Sequence, residues 1–232
     1  MHDGRAHPTD ALARRTSAAD ARGAAGALGP VSSQHVSESL WDATGDELLR
    51  RTASSDPTPG GGSISGVSAS LGTALVLMAI DVTLASPRTD EDTAATLREA
   101  RERGEAILGT LRTAVDADVE VFEALMAAYR MPRDDDAERA DRSAAIRVET
   151  VVATVAPLDV ADAALEAVAF SVAVEPLVKA DVRSDVLAGR DLLLGAARAA
   201  LRTADVNLAG LDGEPALHER RQRAWDAILT AL

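Results

Sequence analysis

The chain has 232 residues, of which 47% are hydrophobic and 2% aromatic; it has no cysteine and a formal net charge of −13. The missing cysteines exclude disulfides and thiolate metal sites. The acidic balance argues against a nucleic-acid groove or a polybasic membrane contact. Three of the four histidines fall within the first 36 residues, leaving only His218 in the expected domain. One histidine is too few for a His-rich metal site and is poorly placed for a Ser–His–Asp triad.

Ala, Val and Leu carry the apolar content while strand-forming aromatics are scarce, which favours an all-α protein. Residues 1–36 mix Arg, Asp, Gly, Pro and Ala and lack the continuous apolar core of a secretory signal. Their Arg and Ala content resembles an organellar transit peptide, but Asp3, Asp10 and Asp20 count against that. They read as a disordered tail before one helical domain over residues 37–232, with a cytoplasmic location expected.

Order is expected from about Trp41. Thr44 followed three residues later by Glu47 is a capping box, predicting a short helix to about Ser54. Asp56-Pro-Thr-Pro-Gly-Gly-Gly-Ser63 must be a loop, because its prolines fix φ and its glycines admit conformations closed to other residues. Residues 63–85 are small and apolar, with Asp81 as their one charge. The serines of the first turns make a membrane span a poor reading. A central helix buried on most faces, covered in part at an oligomer interface, fits better. A long amphipathic helix follows over about 91–130, ended by Met131-Pro132. The next covers about 137–174, with a bend expected at Pro157, and Pro176 closes it. A fifth helix runs from Arg183–Asp185 to about Ala209, and a sixth, carrying Trp225, covers about 215–232. No strand pattern or fixed-period repeat is visible.

Chemistry is concentrated in few places. Pro59-Gly60-Gly61-Gly62-Ser63 opens the apolar helix. Successive backbone N–H groups there can hold an anion; equally, the triplet can be a hinge with Ser63 as N-cap. On the long helix, Leu111, Ala114, Val115, Asp118, Val121, Phe122, Leu125 and Tyr129 share one stripe, in which Asp118 is the one carboxylate. Desolvation would raise its pKa, as a general acid/base requires. The alternative is a buried structural Asp, capping a neighbour or paired with an Arg. Asp116, Glu120 and Glu123 face elsewhere, where solvated charge is ordinary. Asp81 admits the same two readings as Asp118. Ser184 and Asp185 suit a helix start as cap and dipole partner, and Arg130 and Arg133 suit a helix end.

The ordered set of these segments resembles the formiminotetrahydrofolate cyclodeaminase / methenyltetrahydrofolate cyclohydrolase family. It comprises Pro57-Thr-Pro-Gly-Gly-Gly-Ser63, the small-residue helix ending Ala74-Leu-Val-Leu-Met-Ala-Ile-Asp-Val-Thr83, and Val115-Asp-Ala-Asp-Val-Glu-Val-Phe122. Met126-Ala-Ala-Tyr-Arg-Met-Pro-Arg133, Ala137-Glu-Arg-Ala-Asp-Arg142, Pro157, Arg183-Ser-Asp185 and Asn207-Leu208 follow in the family's order. The resemblance implies a dimer-forming bundle of about six helices with a folate cleft between them. It implies Asp118 as the catalytic acid/base, with Pro59, Gly60, Gly61, Gly62, Ser63, Arg183, Ser184, Asp185 and Asn207 binding substrate. Three positions depart from the pattern. A basic run after the apolar helix is reduced to Ala85-Ser-Pro-Arg-Thr89, Val178-Lys179 replaces a Gly-Asn, and Thr203 stands where an Asn is expected.

The implied reaction is either hydrolysis of 5,10-methenyltetrahydrofolate to a formyl folate or cyclisation of 5-formiminotetrahydrofolate with loss of ammonia. Neither requires a metal or redox cofactor. The alternatives are a diverged cyclase or hydrolase of another heterocycle or imine, and a non-catalytic helical dimer that binds a ligand.

Overall fold

A computed structural model describes residues 39–231; the expected tail over residues 1–36 lies outside them. Among the described residues there are six α-helices and no strand: α1 (Gly45–Thr52), α2 (Gly61–Leu84), α3 (Glu91–Tyr129), α4 (Asp136–Val174), α5 (Arg183–Leu208) and α6 (Pro215–Thr230). The start signals act as the side chains dictate. Thr44, Asp90 and Asp135 each accept a hydrogen bond from the backbone N–H three residues on, capping α1, α3 and α4.

Helices α2, α3, α4 and α5 pack as a closed ring of four, each antiparallel to its neighbours, and α6 lies against α4 and α5. The direction is fixed by paired contacts. Arg101 of α3 bonds Asp81 near the end of α2, whereas Asp118, further along α3, meets Ser63 at the start of α2. Arg190 of α5 meets Ser171 of α4, and Asn207 meets Ala153. The core fills the ring with Leu, Val and Ala from all four helices, around Phe170, Ile80, Leu158 and Leu193.

Small residues set how closely α2 is approached. A Cβ on Gly72 would lie 2.7 Å from the Gly189 carbonyl oxygen, and one on Gly189 would lie 2.6 Å from that of Gly72. Backbone therefore meets backbone where α2 crosses α5. Apart from Ser63, the hydroxyls of α2 are satisfied within the helix: Ser65, Ser68, Ser70, Thr73 and Thr83 each donate to the carbonyl four residues back. By length and composition α2 could cross a membrane, yet half of its most apolar stretch is buried inside the bundle. Helix α2 is buried along most of its faces, as expected. It is one wall of the ring, with Leu71, Met78 and Val82 open to solvent.

Other expectations change at the ends. Helix α2 begins at Gly61 with Gly60 as N-cap, so Ser63 is inside its first turn. Helix α5 begins at Arg183 with Val182 as N-cap, so Ser184 caps nothing. Asp116 is not a solvated charge: it accepts Ser39 Oγ at 2.7 Å and the Leu40 N–H at 3.0 Å, tying the amino-terminal turn to α3. Trp41 reinforces this by donating to the Arg112 carbonyl. Asp81 takes its structural reading, paired with Arg101 at 2.7 Å on the surface.

The Gly72–Gly189 contact has a direct test in urea unfolding. Gly189→Ala adds a methyl where only backbone can yield, and should cost about 1–2 kcal/mol after its helix-propensity gain. Gly109→Ala, on α3 with nothing within 4 Å of the added carbon, should instead gain up to about 1 kcal/mol. A gain at both positions would show that the α2–α5 crossing is looser than described.

Candidate active site

A cavity of about 560 Å³ opens where the start of α2 faces α3 and α5, a volume typical of small-molecule sites. The loop before α2 and its first residues form one wall, with Thr58, Gly60, Gly61 and Gly62. Asp118, Val121, Phe122 and Leu125 of α3 form the second, and α5 supplies the third with Arg202, Thr203, Val206 and Asn207. Most of the lining is apolar; Asp118 and Arg202 are its charged residues.

Asp118 sits where the helix stripe put it, half-buried. Its Oδ2 accepts the Ser63 hydroxyl at 2.6 Å. Unlike the inward-bonded hydroxyls further along α2, that of Ser63 reaches across to another helix. Gly62 makes the arrangement possible, since a Cβ there would overlap the Asp118 carboxylate, lying 2.7 Å from its Cγ. The carboxylate thus lies against the first turn of α2, at the positive end of the helix dipole. One face of the glycine triplet also presses on α5: a Cβ on Gly61 would stand 3.1 Å from Thr203 Oγ1. Pro59 is buried beneath the loop, and its bond to Thr58 is cis.

Asn207 reaches the cavity for a reason rooted in α4. Pro157 has no N–H, so the Ala153 carbonyl lacks its normal partner four residues on. Asn207 Nδ2 supplies the missing donor at 2.8 Å. The helix continues unbroken through Pro157, and the same bond fixes the Asn207 amide against the cavity wall.

The structure therefore brings together Gly60, Gly61, Gly62, Ser63, Asp118 and Asn207. It does not bring Arg183, Ser184 or Asp185 to them. That triplet lies at the opposite end of α5, about 33 Å along the helix from Asn207. There Arg183 bonds Glu175 at 2.6 Å, and Arg190 joins the same carboxylate. The two guanidiniums, Arg183 first, hold the Glu175 carboxyl below its ordinary value. Tyr129 leaves the expected stripe: it is exposed, under the Arg142 guanidinium. Among the described residues no group of His, Cys, Asp or Glu is arranged to hold a metal ion. Arg202, Thr203 and Val206 were not singled out as site residues from the sequence. The signal was available, because Thr203 is four residues before Asn207 and so shares its face.

An all-helical bundle with one carboxylate seated on a glycine-opened helix start, beside an inter-helix cavity, defines the class of protein. The formiminotransferase-cyclodeaminase family model matches residues 44–226. The chain is 35% identical over 188 residues to the methenyltetrahydrofolate cyclohydrolase of Methylorubrum extorquens, covering 79% of this chain and 88% of that protein. It is 30% identical over 125 residues to the formimidoyltransferase-cyclodeaminase of Rattus norvegicus, a stretch that covers 54% of this chain and 23% of that longer protein. The crystal structure of formiminotetrahydrofolate cyclodeaminase from Thermotoga maritima shares the fold, with a TM-score of 0.72 over 83% of this chain and 93% of that one at 20% identity. The chain belongs to the formiminotransferase-cyclodeaminase family, a family of folate one-carbon enzymes.

The contact at Gly62 should be sensitive to one methyl group. Gly62→Ala is expected to keep the helical circular-dichroism spectrum while breaking the Ser63–Asp118 bond. A crystal structure of the variant with the carboxylate unmoved would contradict this.

Proposed function

We propose that this chain hydrolyses 5,10-methenyltetrahydrofolate to 10-formyltetrahydrofolate, with Asp118 as general acid/base. The observation that carries this reading is the Asp118 carboxylate, anchored by Ser63 inside the cavity. The identity to the Methylorubrum extorquens cyclohydrolase, over most of both chains, favours hydrolysis over deamination.

The steps balance without an external redox partner. Water adds to the electron-poor methenyl carbon as Asp118 takes its proton, giving a tetrahedral carbon bonded to N5, N10 and a hydroxyl. The bond to N5 then breaks as Asp118 returns its proton to N5, and the hydroxyl gives up its own proton to solvent as the carbon becomes a formyl group on N10, the one net proton released when the methenyl cation is hydrolysed. A second reading uses the same group: N10 attacks the formimino carbon of 5-formiminotetrahydrofolate, and Asp118 moves a proton to the departing ammonia. Both need one proton carrier close to a tetrahedral carbon. The Ser63 bond limits the carboxylate to one orientation, which shortens the search for reactive geometry.

The far-end triplet fits this reading through a second copy of the chain. Leu71, Met78 and Val82 of α2, with Leu192 of α5, form an open apolar face beside the Gly72–Gly189 crossing. A two-fold axis perpendicular to α2 would cover that face with its own copy, in line with the homodimer the family resemblance implies. The partner's Arg183–Asp185 end would then lie towards the Asp118 end of the first chain.

Loss of the near-UV absorbance of methenyltetrahydrofolate should follow addition of the protein, and Asp118→Asn should slow it by about 10²–10⁴-fold. Ammonia release from the formimino substrate alone would select the second reading; neither turnover nor folate binding would remove both. In sedimentation, the wild type should be a dimer and Leu71→Asp/Leu192→Asp a folded monomer. A wild-type monomer, or a variant that stays dimeric, would exclude this interface.

A further inference from the structure

Resting on the folate reading above, we propose that Arg202 is the subsite for the substrate's glutamate carboxylates, held in place by Trp225 of α6. Arg202 and Asp118 line the same cavity, so a ligand that fills it from the reacting carbon outward meets both. The charge bookkeeping around Arg202 is unusual for this acidic chain. Cations of α4 and α6 are neutralised, Arg147 by Glu214, Arg220 by Asp159 and Asp162, and Arg221 by Asp205 at 2.6 Å, whereas on α5 Arg202 and Arg198, one turn before it, are not paired among the described residues; of these two only Arg202 lines the cavity. Asp205 is three residues from Arg202 on α5 and would be its natural partner, but Arg221 takes it. Among the described residues Arg202 makes no ion pair.

Arg202 is instead placed over an aromatic ring. Its guanidinium lies 5.0 Å from the centre of the Trp225 ring, and Arg221 covers the ring at 5.9 Å. Trp225 is anchored because it packs against the bundle core. Stacking engages the face of a guanidinium and leaves its N–H edge free, the edge that binds a carboxylate in two parallel hydrogen bonds. Arg88, the basic residue kept after α2, is exposed at the other end of that helix and does not line the cavity. Arg202 gives the cavity a positive charge that the reduced basic run does not.

The test compares 5,10-methenyltetrahydrofolate with 5,10-methenyltetrahydropteroate, which has the same reacting centre and no glutamate. Arg202→Met should raise KM for the folate about 10-fold, equivalent to one charge-assisted hydrogen bond, with kcat within about twofold. Arg202→Lys should recover part of the loss, and Trp225→Phe should raise KM less than Arg202→Met. On the pteroate, wild type and Arg202→Met should be equal. An unchanged KM for the folate, or an equal loss on both compounds, would overturn the assignment to Arg202 while leaving the proposed reaction intact. Wild-type protein that neither binds nor converts either compound would overturn both together.

Discussion

The architecture depends on how closely other helices can approach α2. Glycine and small hydroxylated residues strip part of its inner faces of bulk, so at those positions neighbours touch its backbone. At Gly72 this gives a crossing with Gly189 in which each carbonyl oxygen occupies the space a side chain would need. At Gly66 it admits Val115, and at Gly62 it admits the Asp118 carboxylate. The packing that stabilises the bundle and the placement of the Asp118 carboxylate are therefore one constraint repeated along a helix. Dispersion at such short range is individually weak and collectively large.

Polar groups inside the bundle follow the same economy. A hydroxyl buried without a partner costs more than its hydrogen bond returns, and the buried serines and threonines of α2 avoid this by bonding their own helix. Ser63 bonds Asp118 instead, which makes it part of the site rather than of the scaffold. The Pro157–Ala153–Asn207 arrangement is similar in kind. A proline removes a donor from α4, and the replacement comes from a side chain that borders the cavity. Charge is handled at the rim: carboxylates outnumber cations in the chain, and most cations near the cavity are bound by carboxylates. Arg202, on the cavity wall, is seated over the Trp225 indole instead.

Much of the site was legible because it is local. A capping box, a proline-glycine loop and a 3.6-residue period are short-range patterns, and they placed α1, the loop before α2 and the Asp118 stripe without a structure. The departures are long-range. Asp116 read as solvated because nothing near it in sequence reveals Ser39 and Leu40, more than 70 residues earlier. Whether Ser63 serves as a cap or belongs to a binding site stays open locally, because nothing near it in sequence shows that Asp118 would claim its hydroxyl.

The sequence by itself determined an all-helical chain, the glycine-opened helix start and Asp118 as the carboxylate of an apolar stripe. These follow from backbone freedom and periodicity, which act within a few residues. The tertiary structure alone decided that Asp118 lies on Gly62, that Asn207 completes α4 beside the cavity, and that Arg183–Asp185 stands at the far end of the bundle. Each of those depends on antiparallel helices meeting at distances set by side-chain volume, a quantity that no local stretch of chain contains.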